Sequence, residues 1–498
     1  MKLEISNFLG GISPSDRIGQ EGSYYIGAQA DPTISGDLGY LRPGYTPTII
    51  ATSGGGVLGG LIHSFVKDYD NFYLYGIEAQ YGEGKLHQLD TGLNLISNAT
   101  YPHQINTTST SIGEDVEIYS CNTTASEVED YLFYSWRNAT DGDVGRVRIK
   151  ETTTTFDDDF LSDSAQSGAK LLKTVPHPMM EWQENGYLYI GNGQCLVSLD
   201  GKTGSNGTMD ATALTLPAGW VITSLFNAEE YIGITAVADV SRRSAVFFWD
   251  GTSDQWNRKV MVPLIYIYAS HTLNGEFYII GTHPELSGVI MQWDGTRFKL
   301  VSRIIDNVST VNAVSPFTYG GITQYRNCLL FNAGYNKTYK YGSGGIGIPK
   351  ALFNILKTTI STNVTMGAIF VDGGTIVTAY QDATPSPNAY YLIKANSGNN
   401  VDFAWKSLYY EFPQKVRLNY IKLYHQTITA NDDDIKITTD YGKATTTVGT
   451  VTTGNTTKIS CRTVPTCNNF RIEIDSDTVS GVKYGKLVVD YSLVPDNE

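Results

Sequence analysis

The chain has 498 residues, of which 17% are charged and 12% aromatic, with 50 glycines, 33 tyrosines and a formal net charge of −14. That balance favours strands and turns over long helices, and it argues against a surface built to grip nucleic acid, which needs clustered Lys and Arg. No apolar run of 18 residues and no signal-peptide pattern is present, so neither membrane spanning by a helix nor secretion by the usual route is expected.

Residues 1–50 fit no repeat. They carry Asn7-Phe8-Leu9-Gly10-Gly11-Ile12-Ser13 and then Gly39-Tyr40-Leu41-Arg42-Pro43-Gly44, glycine-rich and weakly patterned, which reads as an extended arm without a core of its own. These two motifs resemble the opening of the hub or nozzle proteins at the distal end of phage tail tubes (the tail tubular protein B-like family). That opening runs Phe/Leu-x-Gly-Gly-Ile-Ser and closes with Gly-x-Leu-x-(Lys/Arg)-Pro-Gly or a close variant. The resemblance covers about the first 50 residues and implies a β-propeller after them.

Residues 51–396 repeat. An apolar strand ending in Asp-Gly returns as Leu196 to Gly201, Phe247 to Gly251 and Met291 to Gly295, with a looser copy at Leu86 to Gly92; Asp-Gly reverses a strand at low cost. Upstream of each lies a polar turn and a tyrosine-rich run. Aligned on positions 73, 131, 187, 231, 277, 329 and 376, these runs are spaced by 58, 56, 44, 46, 52 and 47 residues. Propeller blades of four strands occupy about 40–45 residues, with insertions in loops, so the pattern predicts a seven-bladed β-propeller. The one short stretch with a helical period is Lys350 to Ile360.

From 397 to 498 the spacing stops. Strands are expected at Trp405 to Phe412, Val416 to His425, Asp434 to Thr439, Thr445 to Val451, Lys458 to Cys461, Asn469 to Asp475 and Lys483 to Val494. Alternation is clear from Arg417 to Tyr424, and these strands read as a separate C-terminal β-sandwich. The fold class is therefore all-β: arm, propeller, sandwich.

Little in the sequence carries chemistry. Gly54-x-Gly56-x-x-Gly59 fits the dinucleotide fingerprint only formally, because a strand and not a helix follows it. Cys121, Cys195, Cys328, Cys461 and Cys467 show no C-x-x-C spacing, and Cys461 with Cys467 is the one pair that a hairpin could bridge. His63, His87, His103, His177, His271, His283 and His425 lack metal-ligand spacing and read as surface or turn residues. Asp432-Asp433-Asp434 reads as a hairpin tip, with a weak calcium site as its sharper alternative. Glycoside cleavage would need two facing carboxylates; the candidates are Asp157 to Asp159, Glu229 with Glu230, and Asp239 beside Arg242 and Arg243, all also explained as solvated turns. Trp249 and Trp293 occupy equivalent blade positions and either pack between blades or, if exposed, offer a sugar-stacking platform. No catalytic residue, metal ligand or cofactor is expected, and the chain is not expected to be an enzyme.

The resemblance implies a virion protein: a tail hub or nozzle subunit, made in the host cytoplasm. It implies a homo-oligomeric ring, six copies in the family, that continues or closes the DNA channel. The implied partners are adaptor or tail-tube and tail-fibre proteins, with genomic DNA only in transit. The candidate assembly arm would use Phe8, Gly10, Gly11, Ile12, Leu41, Arg42, Pro43 and Gly44. The alternative is a receptor-binding tail-tip protein that holds a host surface glycan; a propeller glycoside hydrolase ranks behind both.

Overall fold

In the computed structural model, seven four-stranded antiparallel sheets stand around one axis as the blades of a propeller. The structure describes residues 1–13, 15, 17, 23–28, 31–33, 44–53, 58–79, 84–98, 100–105, 111–124, 127–149, 155–163, 171–203, 207–238, 243–304, 319–333, 337–343, 350–357, 364–383, 389–397, 404–428, 433–476 and 482–495. The innermost strands of blades one to seven are Leu61–Lys67, Ile112–Thr124, Met179–Trp182, Trp220–Ala228, Tyr266–Leu273, Ile322–Tyr325 and Val364–Asp372. Each lies against the next, and the seventh returns to the first. The seven tyrosine-rich runs fall at the second strand of successive blades, buried on both faces because a blade packs against a neighbour on either side. Lys350 to Ile360 departs from its helical period: Ala351–Lys357 is the outer strand of blade six.

The ring closes through the N-terminus. Blade seven takes three strands from Val364–Asp372, Thr375–Asp382 and Ala389–Ser397, and its outermost strand is Tyr45–Thr52. Tyr45 pairs with Ser397 and Thr52 with Tyr391, antiparallel. A division at residue 50 therefore cuts a blade strand.

The described residues before Tyr45 do not form a free arm. Lys2–Ile5 pairs with Tyr484–Leu493, and Ser23–Ala28 pairs with Ala404–Ser407 on one side and Gly11–Ile12 on the other. These strands join the C-terminal ones in a single ten-stranded sheet. The expected two-layer sandwich is thus corrected to one curled, half-barrel sheet. Its longest strand, Tyr410–Ile428, fuses two of the expected strands and pairs with three others. Sequence pattern missed this because the arm's partners lie hundreds of residues away, and strands of two to six residues leave little period to read.

Apolar burial explains why the segment folds back. Phe8 stands edge-on to Trp405 at 5.6 Å, and Tyr24 lies 6.4 Å from the same ring. One continuous core runs from these residues through Leu418, Ile421, Ile472 and Val489 into Leu330, Phe353 and Ile376 of blades six and seven. Gly11, at φ +70°, is the point of closest approach. A Cβ there would lie 2.6 Å from the Leu352 carbonyl oxygen and 2.7 Å from Ala351 Cβ, so only glycine fits both the left-handed backbone and the contact. Beside it, Lys340 of blade six donates from Nζ to Asp31 Oδ2 at 3.1 Å and to Thr33 Oγ1 at 2.5 Å, with all three residues buried.

Candidate functional site

The inner strands of five blades carry β-bulges, which bend a strand and sharpen its twist. In blades one, two, four, five and seven the pairing of the first two strands slips, leaving out His63, Glu114, Thr223, Tyr268 and Gly367-Ala368 respectively. Polar contacts join neighbouring blades close to these bulges. Ser224 and Ser270 hydroxyls meet at 2.6 Å between blades four and five. Asn332 Nδ2 donates to the Gly367 carbonyl at 2.8 Å between blades six and seven. Gly320, in the turn Tyr319–Gly321 of blade six, packs against His63 and Ser64 of blade one. That turn also touches the inner strands of blades two, five and seven, so it reaches across the axis.

A cluster of buried charged groups lies between blades one, two and three. Glu114 accepts the His177 N–H at 2.8 Å and pairs with Arg137 at 2.6 Å. Asp115 accepts the Met179 N–H at 2.7 Å, and the Ser135 hydroxyl donates to the His177 carbonyl at 2.7 Å. Both carboxylates therefore satisfy the first backbone donors of blade three, which would otherwise be buried without partners. Burial pushes the Glu114 carboxyl up to about 7 and Asp115 up to about 6. Glu117 is pushed up to about 8, by burial first and then by Asp115 and Glu181. Burial holds His63 down at about 3 and His177 at about 4. Here the surface-or-turn reading of the histidines is corrected: His63, His87, His177 and His425 are buried. His87 Nε2 lies 2.6 Å from Glu78 Oε1, and both side chains are fully enclosed. Among the described residues no group of three or more His, Cys, Asp or Glu is arranged to hold a metal ion.

Two grooves of about 400 Å³ each open between blades. The first, between blades three and four, is lined by Tyr187, Tyr189, Asp200, Asp210, Trp249 and Asp254. Trp249 is only 2% exposed, stands edge-on to Tyr189 at 5.9 Å and donates from Nε1 to the Ser253 carbonyl. It packs between blades, which removes it as an exposed platform. The second groove, between blades four and five, is lined by Glu229, Glu230, Tyr231, Phe248, Arg258 and Trp293. Trp293 is half-buried here, with the Arg258 guanidinium 4.8 Å over its ring and Phe248 at 5.1 Å. Arg258 is fixed by the Gly295 and Thr296 carbonyls, so a sugar ring on that face of the indole would have to displace it. Glu229 and Glu230 are consecutive on one turn and cannot stand on opposite sides of a scissile bond.

The recurring Asp-Gly turns act through their carboxylates. Asp250 accepts the Thr252 and Ser253 N–H groups and the Ser253 hydroxyl, and Asp294 accepts the Thr296 and Arg297 N–H groups. The Ser253 bonds hold Asp250 well below the usual carboxylate range, and Lys299 with the turn amides does the same for Asp294. Asp157 to Asp159, expected as an exposed loop, is half-buried: Asp158 accepts from Tyr134 at 2.6 Å and faces His103 Nε2 at 2.9 Å. Asp433 is buried and accepts from the Tyr484 hydroxyl, so it is no hairpin tip. Of the candidate arm, Phe8, Gly10 and Gly11 are buried, Ile12 is half-buried and Gly44 is buried. Leu41, Arg42 and Pro43 lie outside the described residues, as do Asp239, Arg242 and Asp432.

No family model matches the sequence, and no curated protein matches it. Among solved structures, Raptor of Chaetomium thermophilum aligns at 9% identity and a TM-score of 0.47, over 72% of this chain and 30% of that one. The chain thus spans less than a third of the Raptor chain. The Dos1 propeller aligns at 10% identity and a TM-score of 0.37, over 67% of this chain and 78% of that one. Both alignments are loose, and the seven-bladed architecture rests on the strand pairing of this chain itself.

Proposed function

We propose that the chain is a structural subunit of a phage tail, a hub or nozzle protein whose copies form a ring that continues the DNA channel and carries fibres. The observation that carries this reading is the Asn7 to Ser13 motif, which resembles the opening of that family and supplies Phe8 and Gly11 to the joint between the ten-stranded sheet and blade six. The joint shares one core between sheet and propeller, which suits a subunit that packs as a single unit in a ring. In this reading the segment's role is to build the subunit, and contacts between subunits fall to other surfaces. With Tyr319–Gly321 reaching across the propeller axis, DNA would pass between subunits at the centre of the ring and not through a single propeller.

The reading makes no use of catalysis. Glu114 and Asp115 are spent on backbone donors, and Glu229 and Glu230 share one turn. A second reading, a glycan-binding tail-tip protein, rests on the aromatic groove at Trp293, where a sugar would have to move Arg258 aside. Native mass spectrometry with negative-stain imaging, alone and with tail-tube proteins, decides between them. Rings support the hub. A protein that stays monomeric with every tail component, yet adsorbs to host cells, overturns it.

A further inference from the structure

One face of the ten-stranded sheet departs from the acidic character of the chain. Four neighbouring strands present their outward residues together: Gly454–Ser460, Tyr410–Ile428, Tyr484–Leu493 and Lys2–Ile5. Register aligns them in rows. Lys458 stands opposite Lys422, which stands opposite Val488 and then Glu4. Tyr420 stands opposite Ser460 and Asp490, with Lys2 beyond, and Tyr424 stands opposite Thr456 and Lys486. Strands lie about 4.8 Å apart, so four ammonium groups and two phenols share a patch a few strands wide. Its acidic members are Glu4, paired with Lys486, and Asp490, which accepts from Asn419.

Three features set this patch apart from a solvated sheet face. Lys422 and Lys458 are like charges directly across a strand pair, an arrangement that destabilises a sheet and that a bridging anion would relieve. The tyrosines hold the lysines in place: Lys458 lies 3.9 Å over the Tyr420 ring and Lys422 4.5 Å over Tyr424. The local potential is felt by Tyr424, whose phenol is pulled below its usual range by its bond to Lys422 and by Lys486 and Lys2.

We propose that this face binds a phosphate-bearing saccharide chain. The cations of these three rows are lysines, with Arg417 exposed one row further along the same face; an ammonium serves a phosphate as a compact point charge, whereas protein interfaces are depleted in Lys. The tyrosine faces carry ammonium groups, so they offer bases no stacking platform, which single-stranded nucleic acid would use; a phenol oxygen that accepts from an ammonium, as Tyr424 does from Lys422, keeps its own hydrogen to donate to a sugar. The overall charge of −14 opposes a long polyanion and tolerates a short charged segment.

The test uses the full chain and phosphomannan oligosaccharide, with its enzymatically dephosphorylated form and a dT20 strand as comparators, by calorimetry at two salt concentrations. The phosphorylated form is expected to bind, more weakly at high salt, with the dephosphorylated form at least tenfold weaker. Lys422→Gln/Lys458→Gln is expected to lose at least tenfold in affinity while its melting temperature holds or rises, because the like-charge pair is gone. Equal binding of both saccharides, unchanged binding by the double variant, or no binding overturns the proposal. Tighter binding of dT20, or lysine-dependent self-association at low salt, overturns it in favour of nucleic acid or of a second copy. Saccharide binding or its loss leaves the ring reading untouched, whereas lysine-dependent self-association would bear on both.

Discussion

Replacing Lys340 by Met tests how the N-terminal segment is held to the propeller. Lys340 is 6% exposed and Asp31 fully buried. Asp31 Oδ1 accepts both the N–H and the hydroxyl of Thr33, at 2.9 and 2.5 Å, and its Oδ2 faces Lys340. Methionine keeps most of the lysine's volume and removes its charge, leaving the carboxylate enclosed with Thr33 as its partner. Breaking a buried pair from one side costs about 3–5 kcal/mol, whereas replacing both members is often neutral. We expect a loss of about 3 kcal/mol for Lys340→Met, with Lys340→Met/Asp31→Asn recovering about 2 kcal/mol of it. The loss should be local, in the strands Ser23–Ala28 and Tyr45–Thr52 that flank Asp31 in sequence. Amide hydrogen exchange there should quicken by roughly 100-fold, since about 1.4 kcal/mol is a factor of ten, while blades three to five exchange as before. A change below threefold, or a double variant whose loss equals the sum of the two singles, would refute the idea that this pair latches the segment.

Other outcomes follow from the same geometry. Gly11→Ala forces a left-handed backbone and a clash with Ala351 and Leu352, and should lower stability by about 2–4 kcal/mol with exchange quickening across the joint. Trp249→Ala empties a buried site and should cost about 3–5 kcal/mol, against about 1–2 kcal/mol for the half-buried Trp293, read as a difference in chemical denaturation midpoint. The raised carboxylates make stability fall as pH climbs. Glu114, Asp115 and Glu117 bind more protons folded than unfolded, so their contribution is complete below their ordinary values of 4.5, 3.8 and 4.5 and is lost as pH rises through about 6 to 8. The depressed His63, His177 and His271 act oppositely, complete above 6.5 and lost as pH falls through about 4 to 3. Between pH 6.5 and 8.5 only the carboxylate effect remains. The melting temperature should therefore decline across that window, and Glu117→Gln should flatten the decline; parallel curves would remove Glu117 as its source.

Much of the fold was legible in the sequence, because a propeller blade is a local object. Its four strands follow one another within about 45 residues, so the tyrosine-rich runs at 73 to 376 and the Asp-Gly turns at 250 and 294 announce seven blades by spacing alone. The equivalence of Trp249 and Trp293 was legible for the same reason: each ends the third strand of its blade. Their difference in exposure was not, because it depends on what the adjacent blade supplies, Tyr189 and Trp182 in one groove and Arg258 in the other. Non-local pairing was equally out of reach. Nothing near Lys2 or Tyr45 in the chain states that they pair with Asp490 and Ser397, and a two-residue strand such as Gly11–Ile12 has no period. The buried histidines escaped too, since the residues that enclose His63 and His177 come from other strands and other blades. Sequence by itself determined the all-β class and the turn chemistry, set by residues within a few positions of one another, and the blade count, set by a regular repeat. Tertiary structure alone decided that both chain ends share one sheet, that Tyr45–Thr52 completes the last blade and that four lysines meet on one face, because these depend on contacts whose partners are separated by tens to hundreds of residues and by no regular interval.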